Sequence, residues 1–204
     1  MFDINTWAKD IEISPFKGVS KVAEAEVEDS LKRHGLKQLD IEAILLNSGW
    51  RSKTEMIEAL YDDEFHPIEY VQGTEYQPAE EYSLVGYIAQ PLGTQKSPDF
   101  IVLTNERSYF IEVKASTKPS GYQFNSHLIK DDYLYVLSDP SVGFKVFEGI
   151  CLIDPDVRQL LNDCHIKCKA IQDTYNEKIS AHSSNTQGWS YYARAMYTQR
   201  NLYA

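Results

Sequence analysis

Three charged residues, Asp99, Glu112 and Lys114, are spaced so that a β-hairpin gathers them in one place. Asp99 follows Pro98 at the entry to the apolar run Phe100-Ile101-Val102-Leu103. Thr104-Asn105-Glu106-Arg107 reads as a four-residue turn, and Ser108 to Ala115 as the second strand. With a period of two, Phe110, Glu112 and Lys114 share one face of that strand, and Tyr109, Ile111, Val113 and Ala115 the other. A carboxylate and an ammonium inside an otherwise apolar strand are costly to bury without a purpose. The combination suits hydrolysis of a phosphodiester, which needs a nucleophilic water, neutralisation of the phosphate charge and stabilisation of an anionic leaving oxygen. Asp99 and Glu112 supply hard oxygen donors for Mg²⁺, with the Val113 backbone carbonyl as a further donor. Lys114 can orient the water or offset charge building on the phosphorus. The competing reading is a surface strand with an ion pair across the hairpin.

The elements that must position this set are predicted as follows. A helix covers about 19–32, with Val22, Ala23, Val27 and Leu31 at helical spacing and Gly35 as its stop. A second covers about 38–47 with Ile41, Leu45 and Leu46 inward. Ser52-Lys53-Thr54-Glu55 opens a third carrying Met56, Ile57 and Leu60. Pro67, Gly73 and Pro78 punctuate an irregular region in which Ile68 to Val71 alternates. Ser83 to Gln90 reads as a strand, Pro91 to Pro98 as the loop that feeds the hairpin, and Lys118 to Gly121 as the loop that leaves it. Asp132 to Ser138 is a strong strand, and Lys145-Val146-Phe147 with Ile150 to Ile153 forms one or two more. Pro155 begins a helix to about Lys178 with a broken apolar stripe of Val157, Leu160, Leu161, Ile166, Ala170 and Ile171. The expected fold is a single α/β domain over 1–204, with α+β as the alternative. Helices at about 19–60 precede a central mixed sheet of four to five strands at about 83–153, and a helix and tail at about 155–204 follow it.

Composition is that of a folded protein, with 43% hydrophobic and 25% charged residues. The net charge of −10 excludes a uniformly basic nucleic-acid coat and lies wholly in the first half. Residues 1–100 hold 19 acids against 9 bases, and the remainder 11 of each. Asp62, Asp63, Glu64, Glu69, Glu75, Glu80 and Glu81 lie in a stretch without Lys or Arg, which reads as a solvated face. No run is apolar over the roughly 18 residues of a membrane span, and the first residues lack the pattern of a signal peptide, so the expected location is the cytoplasm. The three cysteines, Cys151, Cys164 and Cys168, do not make a disulfide framework.

Competing chemistries find little support. Cys164-His165-x-x-Cys168 is half of a zinc site with no second pair, and the other histidines have no nucleophile pattern around them. Gln95 and Asn125 border the hairpin and can position water or contact DNA, or cap loops. From His182 onward there is no acid, and Arg194 and Arg200 are interleaved with Trp189, Tyr191, Tyr192, Tyr197 and Tyr203. That tail can read bases or bind phosphate, or equally pack on the core.

Pro98-Asp99 followed by Glu112-Val113-Lys114 resembles the motif of the PD-(D/E)xK nucleases and, within them, the type II restriction endonucleases. The likeness extends to Gln90-Pro91-Leu92-Gly93-Thr94-Gln95 before it and to Gln123-Phe124-Asn125 and the Tyr133 to Leu137 run after it, covering roughly residues 86–153. It implies a restriction-endonuclease-like core, with Asp99 and Glu112 as metal ligands and Lys114 serving the water. Such folds often carry a glutamate on a helix near their start. Glu24 has the right setting, and Glu26 or Glu28 can equally fill the role. The implied activity is Mg²⁺-dependent cleavage of double-stranded DNA at a short, palindromic sequence, leaving 5′-phosphate ends. The implied partners are a second copy of the chain in a homodimer and a cognate DNA methyltransferase that protects the genome. Alternatives are a structure- or mismatch-specific repair or recombination nuclease and, from another class, a non-catalytic nucleic-acid or protein-binding module.

Overall fold

The computed structural model describes residues 2–16, 18, 20–47, 50–61, 85–94, 96–117, 121–125, 129–182, 188–191 and 196–199. The predicted Ile68 to Val71 strand and the acidic stretch from Asp62 to Glu81 lie outside them, as do Gln95, Arg194 and Arg200.

Four helices come first: α1 (Ile4–Glu12), α2 (Ser20–Arg33), α3 (Ile41–Asn47) and α4 (Lys53–Tyr61). Helix α1 was not expected. The Asp3 carboxylate caps it by accepting the Asn5 N–H, and Trp7 and Ile11 bury its inner face. At α4, Ser52 accepts the Glu55 N–H while the Glu55 carboxylate accepts the Arg51 N–H, a variant of the reciprocal cap predicted there. Two inward assignments need correction. Val22 is exposed, and in the short α3 it is Ile44 that is buried while Leu46 is 86% exposed. In an apolar run such as Ile-Glu-Ala-Ile-Leu-Leu the phase of the helix is set by its neighbours and not by the run itself.

The sheet is mixed, open and five-stranded, in the order β1 (Gly86–Ala89), β2 (Phe100–Leu103), β3 (Ser108–Ala115), β5 (Tyr133–Asp139), β6 (Gly143–Glu148). The β1-β2-β3 run is an antiparallel meander, β5 lies parallel to β3, and β6 returns antiparallel. A parallel pair needs a crossover of a dozen or more residues, usually helical. Here residues 116–132 include a strand, β4 (Tyr122–Asn125), which pairs with β7 (Met196–Gln199) in a separate two-stranded sheet. The tail therefore returns beside the segment that follows the hairpin, in strand form.

Period-two alternation gives the sheet two cores. Phe100, Val102, Ile111, Val113, Val136 and Phe144 face α1 and α2, whose Trp7, Ile11, Ala23, Val27 and Leu31 cover them. Ile88, Ile101, Leu103, Phe110, Tyr133, Tyr135 and Leu137 face α3, α4 and β4. Other segments meet the sheet at both edges. Leu39 donates to the Tyr87 carbonyl at 2.8 Å and Tyr87 to the Lys37 carbonyl at 2.9 Å, so the backbone of 37–39 runs along β1. Gly86 is required by this approach, since a Cβ there would stand 2.4 Å from the Lys37 carbonyl oxygen. On the far edge the Val146 N–H of β6 donates to the Glu12 carboxylate at 3.0 Å.

The predicted Ile150 to Ile153 strand is instead a 3-10 turn, Gly149–Cys151. Gly149 sits against the Lys130 carbonyl, too close for any Cβ, and Ile150 points outward at 56% exposure. Helix α5 (Pro155–Ala181) follows, capped by Asp154, and none of its residues is buried. No helix among the described residues is long and apolar enough to cross a membrane.

Candidate active site

The predicted hairpin is observed with its strands at Phe100–Leu103 and Ser108–Ala115, paired Phe100 to Ile111 and Leu103 to Ser108. Pro98 enters through a cis peptide bond, and the Asp99 N–H donates to the Ile111 carbonyl at 3.0 Å. The Asp99 side chain then turns back along β3, where its Oδ2 accepts the Val113 N–H at 2.7 Å. In a strand the N–H and C=O of one residue leave on the same edge. The Val113 carbonyl thus faces the edge on which Asp99 stands.

Glu112 and Lys114 occupy one face of β3, as alternation requires. The Lys114 ammonium donates to Glu112 Oε1, and Glu112 is only 4% exposed. Its second oxygen, Oε2, is buried without a hydrogen-bond partner among the described residues. An unsatisfied buried carboxylate oxygen costs about 1–3 kcal/mol or more, a cost that a cation at this position would offset. Asp99 feels the crowding. Burial first, and the Glu112 charge second, push its pKa up to about 7 from 3.8, against the Val113 N–H and Lys114, which pull it down.

Of the three candidate acids of the N-terminal helix, Glu24 approaches this set. Its Oε2 accepts from the Gln90 side-chain amide at 3.1 Å, and its pKa is raised by burial, with Gln90 and Lys114 opposing and the Glu112 charge adding to the rise. Glu26 turns the other way, 7% exposed, to Arg33 and Ser14, and Glu28 accepts from the Tyr87 hydroxyl at 2.8 Å. Gln90 is the hinge of the arrangement. It has a φ of +45°, its N–H donates to the Asp99 carbonyl, and its amide holds Glu24, so β1, β2 and α2 meet at one residue.

Residues beyond the motif line the other side of Glu112. Lys130 donates to the Tyr133 hydroxyl at 3.0 Å, and its ammonium stands over the rings of Tyr61 and Tyr133. Burial lowers its pKa while the Glu112 charge raises it. Tyr135, opposite Glu112 in the parallel ladder, accepts the Lys130 N–H through its hydroxyl. The two tyrosines were foreseeable from the alternation of the Tyr133 to Leu137 strand; Lys130 carries no sequence signal of its own. Of the remaining predicted residues, Asn125 ends β4, opposite Met196 of β7.

Among the described residues no group of three or more His, Cys, Asp or Glu side chains closes on a point where a metal ion could sit. The donor set at Asp99 and Glu112 nonetheless fits Mg²⁺, which keeps several waters and takes one or two carboxylates plus phosphate oxygens. The bare Glu112 Oε2 and the raised Asp99 both mark a place short of positive charge. Cys164 and Cys168 are free and exposed on α5, and among the described residues they belong to no group of three or more such ligands.

Comparison of the chain with family models, with curated proteins and with solved structures finds no match.

Proposed function

We propose that this protein is a Mg²⁺-dependent endonuclease with a restriction-endonuclease-like core, cutting both strands of duplex DNA at a short palindromic sequence as a homodimer. One observation carries the reading: Asp99, Glu112 and Lys114 converge at one end of a mixed sheet, with Glu24 and its partner Gln90 brought in from two further segments. A structural ion pair does not require two acids crowded until one resists ionisation, nor a fourth acid delivered from a helix.

Asp99, Glu112 and the Val113 carbonyl would hold the metal. When bound, Mg²⁺ acts as a Lewis acid on the phosphate and offsets the charge of the two carboxylates. Glu112 Oε1 fixes the Lys114 ammonium, which neutralises charge on the phosphorus as the water attacks. Glu24, tethered through Gln90, orients solvent on the α2 side. Lys130, held by Tyr133, provides a second cation beside Glu112 for a phosphate oxygen. A cognate DNA methyltransferase would protect the host sequence.

Incubation with DNA of known sequence and Mg²⁺ tests the reading. Discrete fragments with 5′-phosphate ends are the expected result. Cutting confined to branched or mismatched duplexes would move the activity to repair or recombination, and no cutting with any divalent metal would leave a binding module. Ca²⁺ is expected to support DNA binding without turnover.

A further inference from the structure

The two longest stretches of this chain without an acid are 113–130 and 178–204, and together they carry six bases. The whole chain holds 30 acids and 20 bases, so what lies outside them is strongly acidic. The fold pairs these two stretches with each other. Strand β4 comes from the first and β7 from the second, and they form the separate two-stranded ribbon. The inner face of β4 is fixed in place. Tyr122 and Phe124 are buried, the Tyr122 hydroxyl donates to Asp139 at 2.7 Å, and the Phe124 ring meets the Tyr135 ring edge-on at 5.7 Å. Asp139 is itself held, accepting the Ser141 and Val142 N–H groups at 2.8 and 3.3 Å. Tyr135 stands opposite Glu112 in the parallel ladder, so a single ring links the ribbon to the candidate site. Gln123 lies between the two aromatic anchors and opposite Thr198 of β7, and alternation turns it outward, where it is exposed.

We infer that this ribbon is the DNA-reading element of the protein, lying in the major groove with Gln123 against an adenine. The identity of the partner rests on the nuclease reading; the choice of surface stands on charge and register. A phosphate backbone is repelled by most of a chain of net charge −10 and accepted where acids are absent. Lys114 and Lys130 of the candidate site flank β4 within the first acid-free stretch. The phosphate to be cut and the bases to be read are thereby served by one run of chain. The major groove of B-DNA, about 12 Å wide, admits a two-stranded ribbon, and a glutamine amide there meets both N6 and N7 of adenine. Such reading needs a side chain on a rigid support, which the anchors on either side of Gln123 supply.

Selection from a random-sequence duplex library by the full chain in Ca²⁺ tests the inference, beside end-sequencing of the same library cut in Mg²⁺. The unaltered protein is expected to select one short motif containing adenine. Gln123→Ala is expected to keep that motif except at one adenine and its palindromic mate, where preference falls on the order of 10–100-fold, with an unchanged melting temperature. Gln123→Arg is expected to shift the same position toward guanine. An unchanged motif in Gln123→Ala, an equal loss of preference at every position, or selection without any motif by the unaltered protein would each overturn the inference. A motif that changes with Gln123 in a protein that cuts nothing would keep the ribbon's role and remove the nuclease reading. Cutting at a motif indifferent to Gln123 would do the reverse, and neither binding nor cutting would remove both.

Discussion

Strand β3 and helix α5 are both patterned at regular intervals, and they use the pattern in opposite ways. In β3 the apolar positions Ile111 and Val113 are buried against α1 and α2, while the charged positions Glu112 and Lys114 are drawn into the opposite side of the sheet. In α5 most apolar positions, such as Leu160, Ile166 and Ile171, stay exposed and none of the 27 residues is buried. The first pattern places charge where it is costly; the second leaves apolar surface that the described residues do not bury. Only in β3 does the departure from ordinary burial coincide with a converging set of charged side chains.

The largest expected effect lies in β3. Lys114→Ala or Asp99→Ala should lower cleavage by about three orders of magnitude or more with the fold intact by circular dichroism, since charge stabilisation by one positioned group is worth about 10²–10³ and metal binding adds to it. Full activity in either variant would remove the site. Next, Ile111→Ala should cost about 2–5 kcal/mol in denaturant unfolding, as for other fully buried aliphatics. Ile166→Ala in α5 should stay within about 0.5 kcal/mol. Equal costs at the two positions would erase the contrast between the regions.

Asp99 gives the pH dependence. Its folded-state pKa is raised, so between about pH 4 and pH 7 the folded chain keeps a proton that the unfolded chain has released. Stability of the metal-free protein should therefore fall as pH rises through that window and level off above it. Asp99→Asn keeps an acceptor for the Val113 N–H without the charge. It should be more stable than the unaltered protein at pH 8, by on the order of 2–4 kcal/mol at about 1.4 kcal/mol per unit, with the gap closing toward pH 4. Melting in a chelator across this range checks it. A smaller change is expected for Glu24→Gln, which should slow cleavage about 10–100-fold and leave the Gln90 contact in place; an unchanged rate would detach α2 from the site.

The hairpin was legible because its signals are local: a β-branched run, a polar turn, alternation and a proline before Asp99 all agree. The partners of the site were less so. That Glu24, and not Glu26 or Glu28, reaches it depends on how α2 is rotated against β3, which Ala23, Val27 and Leu31 decide jointly with Trp7 and Ile11 of α1. Helix α1 itself was missed, although Asp3 as a cap and Trp7 and Ile11 four apart signal it. Ile150 to Ile153 misled because an apolar run carries no record of Gly149 lying against the Lys130 carbonyl. The pairing of β4 with β7 joins segments some seventy residues apart and leaves no local trace.

The segments that meet the sheet edges have a consequence for how this protein can associate. Chains that stick together by adding strands need a row of unpaired backbone groups as a template. The backbone of 37–39 fills that role along β1, and the Glu12 carboxylate blocks a donor midway along β6. Fibril-like growth from β1 would first have to peel away a native segment, and growth from β6 would have to displace the Glu12 carboxylate. Lengthening of this sheet by a neighbour is thereby disfavoured, and contacts between copies are left to side chains.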